Sequence, residues 1–124
     1  MRFLLRLSMV VVLLALCSAV FAGEKLNKFG VADVVKVNFV APIHVGDALL
    51  PAGDYEVRHT MAGEDHIMVF KQLGGKSVEA KVKCHLVPTK EKADQNQTIY
   101  VLNAADERVL RTLIFKGDMA EHQF

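Results

Sequence analysis

The chain has 124 residues, of which 52% are hydrophobic and 23% are charged, and its formal net charge is +1. This length accommodates one domain with one modest hydrophobic core and leaves no room for a second. The near-neutral charge argues against a nucleic-acid-binding protein, which would be expected to present a basic face.

The first twenty-two residues have the pattern of an export signal. Arg2 and Arg6 make the start positive, an apolar run extends from Leu7 to Leu16, and small residues follow it. A membrane-spanning helix needs about 20 predominantly apolar residues, and this run is shorter. We therefore expect a signal peptide at residues 1–22, cleavage before Gly23, and a periplasmic or secreted location in a bacterium.

The two cysteines have different expected fates. Cys17 leaves lipidation open as an alternative, but Leu16 is a poor residue to precede a lipidated cysteine, so removal with the signal is favoured. Cys84 is then the only cysteine of the mature chain, which excludes an intrachain disulfide. Residues 23–124 carry thirteen Lys and Arg against fourteen Asp and Glu, a net charge of −1.

Short apolar runs separated by Pro, Gly and Asp clusters predict an all-β domain over residues 23–124. The three prolines stand at run boundaries, where a missing hydrogen-bond donor harms a sheet least. The expected architecture is a single antiparallel β-sandwich or short barrel of about seven strands. The predicted strands are Val34–Val40, Ile43–Val45, Asp54–Thr60, His66–Leu73, Ser77–Val87, Thr98–Asn103 and Val109–Phe115.

The last of these segments has two interpretations. Four apolar residues also fit one stripe of a helix that Asp106 could cap; they are Val109, Leu110, Leu113 and Ile114. The Val, Ile, Thr and Phe content of the segment favours a strand.

The segment that precedes the polar stretch Thr89–Gln97 gives the clearest strand pattern. From Val78 to Leu86, apolar residues alternate strictly with charged residues or histidine. A period of two predicts one buried and one solvated face, with Cys84 pointing inward and His85 outward. An inward cysteine is a packing residue and a poor candidate for a catalytic nucleophile.

Two hairpin registers follow from keeping the apolar residues on one face. A turn at Ala62-Gly63 gives the first set of partners: Tyr55 with Phe70, Val57 with Met68, and His59 with His66. A three-residue loop at Gly74, Gly75 and Lys76 gives the second set: Phe70 with Ala80, Met68 with Val82, and His66 with Cys84.

These registers bring His59, His66 and Cys84 together at one end of the buried face, with Met61 and Met68 nearby in sequence. Imidazole, thiolate and thioether groups are ligands for copper, and the first two also bind zinc. A periplasmic copper- or zinc-binding protein is therefore one alternative. The competing interpretation is structural, because core cysteines and strand-end histidines commonly only pack.

Other sites of chemistry are not indicated. His44, His85 and His122 show no ligand spacing with one another and are expected at the surface. The sequence has no Gly-x-Ser-x-Gly, His-Glu-x-x-His, phosphate-loop or Cys-x-x-Cys motif. No catalytic residue and no cofactor other than the alternative metal is predicted, and an enzyme with an unrecognised site stays as a second alternative.

One local segment carries a resemblance. Leu49–Val57 combines a turn with a strand start, in which Pro51 fixes φ and Gly53 adopts a turn conformation freely. With Val45-Gly46 it resembles the V-G-x-x-x-L-P-A-G-x-Y-x-V segment of small exported bacterial proteins of unknown function. The resemblance implies no activity or site residue. We therefore expect a non-enzymatic module that binds an envelope protein or a small ligand, without a membrane span after cleavage.

Overall fold

All regular structure is β in the computed structural model of the protein, which describes residues 26–74 and 78–124. The strands of these residues are β1 (Val34–Phe39), β2 (Ile43–Val45), β3 (Ala48–Leu50), β4 (Gly53–Ala62), β5 (Asp65–Gln72), β6 (Glu79–Pro88), β7 (Gln97–Leu102), β8 (Arg108–Ile114) and β9 (Ala120–Gln123). The described part contains no helix with the length and hydrophobicity required to cross a membrane.

Several predicted features lie outside the described residues. They are the signal peptide at residues 1–22, the lipidation alternative at Cys17, the mature start at Gly23, and the loop residues Gly75 and Lys76.

The strands form one mixed sheet in the order β1-β4-β5-β6-β9-β8-β2-β3, and β7 pairs with β8. β6 connects the two halves, because its residues up to Cys84 pair with β5 and those from His85 onward pair with β9. The all-β prediction is confirmed. The purely antiparallel prediction is wrong at β2 and β8, which run parallel, since no hairpin turn sets the direction of strands so distant in the chain. The sheet is open, so the barrel alternative is also wrong.

Two short strands, β3 and β9, were not predicted, because three or four residues are too few to show an alternating pattern. β3 follows β2 through a turn at Gly46, whose φ is 57°. A β-carbon at Gly46 would lie 2.9 Å from Cγ1 of Val82. Glycine is therefore needed both for the backbone conformation and for the close approach to β6.

β8 confirms the strand interpretation and explains why a helix also fitted. Its pairing with β7 skips Arg111, which makes a β-bulge. The bulge allows Leu110 and Leu113 both to point into the core, although they are three residues apart. This spacing is what resembled a helical stripe.

The core lies on the inner face of β4, β5 and β6, and it is closed by residues of β2, β3 and β8. Its buried members are Phe39, Ile43, Val45, Leu50, Tyr55, Val57, Met68, Phe70, Ala80, Cys84, Leu110, Leu113 and Phe115. The Tyr55 hydroxyl donates a hydrogen bond of 2.6 Å to the Pro51 carbonyl. This bond fastens the turn before β4 to the core.

The predicted register of β5 with β6 is confirmed, including His66 opposite Cys84. The predicted register of β4 with β5 is wrong by two residues, since β4 continues to Ala62 and the turn falls at Gly63-Glu64. Gly63 has a φ of 62°, which favours that position for the turn. The observed partners are Val57 with Phe70, His59 with Met68, and Met61 with His66.

Candidate metal centre

His59 on β4 and His66 on β5 are diagonal neighbours on the same face of the sheet. They are not directly opposite each other as predicted, because the turn lies one residue later in the chain. Their imidazole rings are nevertheless in contact. His59 Nε2 lies 2.8 Å from His66 Nδ1, and the ring centroids are 5.1 Å apart. One ring nitrogen donates to the other, so the accepting nitrogen is unprotonated.

His59 is shielded from water, and His66 is half-buried. His59 is 8% exposed, and the Phe29 ring packs against both imidazoles, with centroids 5.5 Å from His59 and 4.6 Å from His66. Burial lowers the pKa of His59, as do the neighbouring His66 and His122, whereas Asp33 raises it. His59 is therefore neutral at physiological pH, which is the protonation state that binds metals.

The segment from Asn27 to Asp33 holds Phe29 in place over the pair. At one end, the His59 backbone N–H donates to the Asp33 carbonyl at 2.8 Å, and near its middle the Met119 N–H donates to the Gly30 carbonyl at 2.6 Å. The segment thus links β4 to the chain that leads into β9.

Cys84 points into the core, as predicted, and is 1% exposed. It is the cross-strand partner of His66 on β6. Burial raises the pKa of its thiol to about 11, so the thiol is protonated at neutral pH and is a weak nucleophile. Within residues 26–74 and 78–124, however, no three His, Cys, Asp or Glu side chains are already gathered around one metal position.

Two methionines complete this end of the face. Met61 pairs with His66 and is partly exposed, whereas Met68 pairs with His59 and is buried. Imidazoles and thioethers therefore alternate across β4 and β5. Thioether sulfurs are soft donors, and the two methionines are the cross-strand partners of the two histidines.

His122 is the functional candidate that the sequence did not reveal. The prediction that it lies at the surface is wrong, because it is 1% exposed. Its Nε2 lies 3.5 Å from Asp118 Oδ2, and Asp118 is also buried. Asp118 Oδ1 accepts a hydrogen bond of 3.2 Å from the Ala32 N–H. β9 buries His122 between β6 and β8, an arrangement to which four residues of sequence give no clue.

The remaining histidines are separate from this centre. His85 is exposed, as predicted. His44 is half-buried, and its Nε2 lies 3.0 Å from Glu107 Oε2. The hydrogen bond from His44 lowers the pKa of Glu107, with a smaller contribution from Asn103.

Comparison with known proteins adds no relative to these observations: the chain matches no protein-family model, no curated protein and no solved structure. The functional conclusion therefore rests on the side chains just described.

Proposed function

We propose that the protein is an exported, non-enzymatic module that binds a copper or zinc ion through His59 and His66, with Cys84 as the neighbouring thiol. The separation of 2.8 Å between the two ring nitrogens carries this proposal. Two nitrogens bound to one tetrahedral ion at the usual distance of about 2.0–2.1 Å lie about 3.3 Å apart. A small opening of the pair would thus admit the ion.

The surroundings favour binding over catalysis. His59 is buried and its pKa is lowered, and Phe29 packs against both imidazoles, which suits retention of an ion rather than turnover of a substrate. The protonated, buried Cys84 is unsuited to nucleophilic attack. Export is supported by the signal pattern of residues 1–22, and the intact mass of the exported protein should correspond to a chain that begins at Gly23.

Calorimetric titration of the exported protein, purified without chelators, tests the metal proposal. Binding of one zinc or copper ion per chain is expected, and His59→Gln and His66→Gln should each remove most of the affinity because each loses a ligand. His85→Gln is the matched control, since His85 lies on the solvated side of β6. Absence of metal binding by the unaltered protein would contradict the proposal and would mean that His59 and His66 only pack together through their hydrogen bond.

A further inference from the structure

We propose that the groove between β1 and β7 binds, as an added strand, an extended segment of a partner protein in which apolar residues alternate with acidic ones. The β1–β7 groove comprises two cavities, with residues 34–36 and 38–41 on one wall and Asn96, Thr98 and Tyr100 on the other. This inference is independent of the metal proposal, since the groove contains no residue of the histidine pair.

The first observation is that β1 and β7 each have a free edge. Among the described strands, β1 pairs only with β4, and β7 pairs only with β8. A free edge presents unpaired backbone N–H and C=O groups, with which a further strand can pair. The six residues of β7 include no charged residue and no proline, which are the usual obstacles to such pairing.

The second observation is that the two edges face each other and run in the same direction. Residues 34–36 share one cavity with Asn96, and residues 38–41 share the other with Thr98 and Tyr100, so the numbers rise together along both walls. Six antiparallel pairings connect the strands in the order β1-β4-β5-β6-β9-β8-β7, and an even number of reversals restores the direction. A single strand of opposite direction can therefore pair antiparallel with both edges.

The third observation is that β7 turns uncovered side chains toward the core side of the sheet. Thr98 and Tyr100 are directly opposite Leu113 and Leu110 of β8, both of which are buried. Directly opposite residues lie on the same face of a sheet. Thr98 and Tyr100 nevertheless remain exposed, Tyr100 at 40%. The inner face of β7 thus lacks a covering layer.

The inner face of β1 is also incompletely covered. Val35 and Val37 alternate with the same inner side as the buried Phe39, yet both are only partly buried. A strand inserted between β1 and β7 would place every second side chain between these valines and Tyr100. Apolar residues at those positions would remove the remaining apolar surface of this edge from water.

The charges of the groove select the other residues of the inserted strand. The charged residues that line the two cavities, among those described, are all basic: Lys36, Lys116 and Arg108. Both lysines are exposed, and the Arg108 guanidinium lies over the Tyr100 ring at 4.5 Å. Lys36 lies on the outer face of β1, because it alternates with the inner valines. Acidic residues on the outer face of the added strand would lie beside these cations, whereas basic residues would be repelled.

Calorimetric titration of the exported protein with synthetic peptides tests the proposal. The probe is a peptide of about eight residues, capped at both ends, in which valine alternates with glutamate. It should bind to the unaltered protein. A valine–lysine peptide should bind at least about tenfold more weakly because of charge repulsion, and so should a valine–glutamate peptide with alternate amides N-methylated, because it lacks the backbone donors.

A charge exchange between protein and peptide provides the variant test. The double variant Lys36→Glu and Lys116→Glu should prefer the valine–lysine peptide, because it reverses the charge beside the added strand. Lys81→Glu is the matched control and should keep the original preference, since Lys81 is exposed on β6 and lines neither cavity. Equal binding of both peptides to the unaltered protein, or an unchanged preference in the double variant, overturns the acidic character of the occupant.

Hydrogen exchange of the unaltered protein locates the bound peptide without any variant. The saturating valine–glutamate peptide should slow the exchange of backbone amides in both β1 and β7 by at least about tenfold. Protection of one strand alone, or of neither, overturns insertion between the two edges. If the free protein is a dimer in which both strands are already protected, and the peptide does not bind, a second copy fills the groove and the peptide assignment is wrong.

Discussion

β5 and β7 are both rich in apolar residues, yet inner side chains of β5 are buried whereas all those of β7 are exposed. β5 lies between β4 and β6, and its inner residues, such as Met68 and Phe70, are fully buried. β7 pairs only with β8 among the described strands, and all six of its residues are exposed, with Leu102 at 58%. Position in the sheet, more than residue type, decides which apolar side chains stabilise the fold, and the candidate metal centre belongs to the interior part.

The largest effect is expected at the centre of β5. Phe70→Ala removes a fully buried ring that packs against Phe39 and Phe124. Loss of a large aromatic side chain from a core costs about 3–5 kcal/mol. Denaturant-induced unfolding should show a decrease of this size in the free energy of unfolding. A loss comparable to that of a surface substitution would mean that the β4–β5–β6 face is not the core.

An intermediate effect is expected from pH at the histidine pair. The pKa of His59 is lowered in the folded state, so the unfolded chain takes up the proton more readily once the pH falls below the ordinary value of 6.5. The free energy of unfolding should therefore decrease as the pH falls from 6.5, and should show no contribution from His59 well above that value.

The matched variant for this pH effect is His59→Gln, measured without metal. The groups that interact electrostatically with His59, namely His66, His122 and Asp33, remain in this variant. The pH dependence of its free energy of unfolding should therefore be shallower than that of the unaltered protein, but not absent. β7 has no acidic, basic or histidine residue and should make no such contribution. Identical slopes for the unaltered protein and His59→Gln between pH 6.5 and about pH 5 would contradict the buried, neutral His59.

The smallest effect is expected at the exposed strand. Leu102→Ala removes an apolar side chain that already contacts solvent, and such substitutions usually change stability by no more than about 0.5 kcal/mol. Thermal and denaturant unfolding should place this variant close to the unaltered protein. A loss of more than about 2 kcal/mol would show that β7 is covered in solution and that the contrast with β5 does not hold.

The strict alternation of apolar and polar residues from Val78 to Leu86 made part of this architecture predictable. It identified β6, the inward position of Cys84 and the register of β5 with β6, because a shift of one residue would have buried charged side chains. A shift of two residues keeps every side chain on its face. Alternation therefore could not distinguish the predicted partners of His59 and His66 from the observed ones, and Gly63 decided the turn.

Features that depend on distant parts of the chain were not predictable. The parallel pairing of β2 with β8 joins strands that no local turn connects. The burial of His122 depends on β6 and β8 on either side of a four-residue strand. The proximity of His59 and His66 was thus predictable because one hairpin brings them together, whereas the covering of the pair by Phe29, from a separate segment, was not.

Thermal unfolding with and without zinc or copper tests the central claim most directly. An ion held by His59 and His66 in the folded state alone must raise the Tm, and the rise must increase with metal concentration. We expect this rise in the unaltered protein and in His85→Gln, and its loss in His66→Gln. A Tm that neither metal changes in the unaltered protein would contradict the assignment of this end of the core as a metal centre.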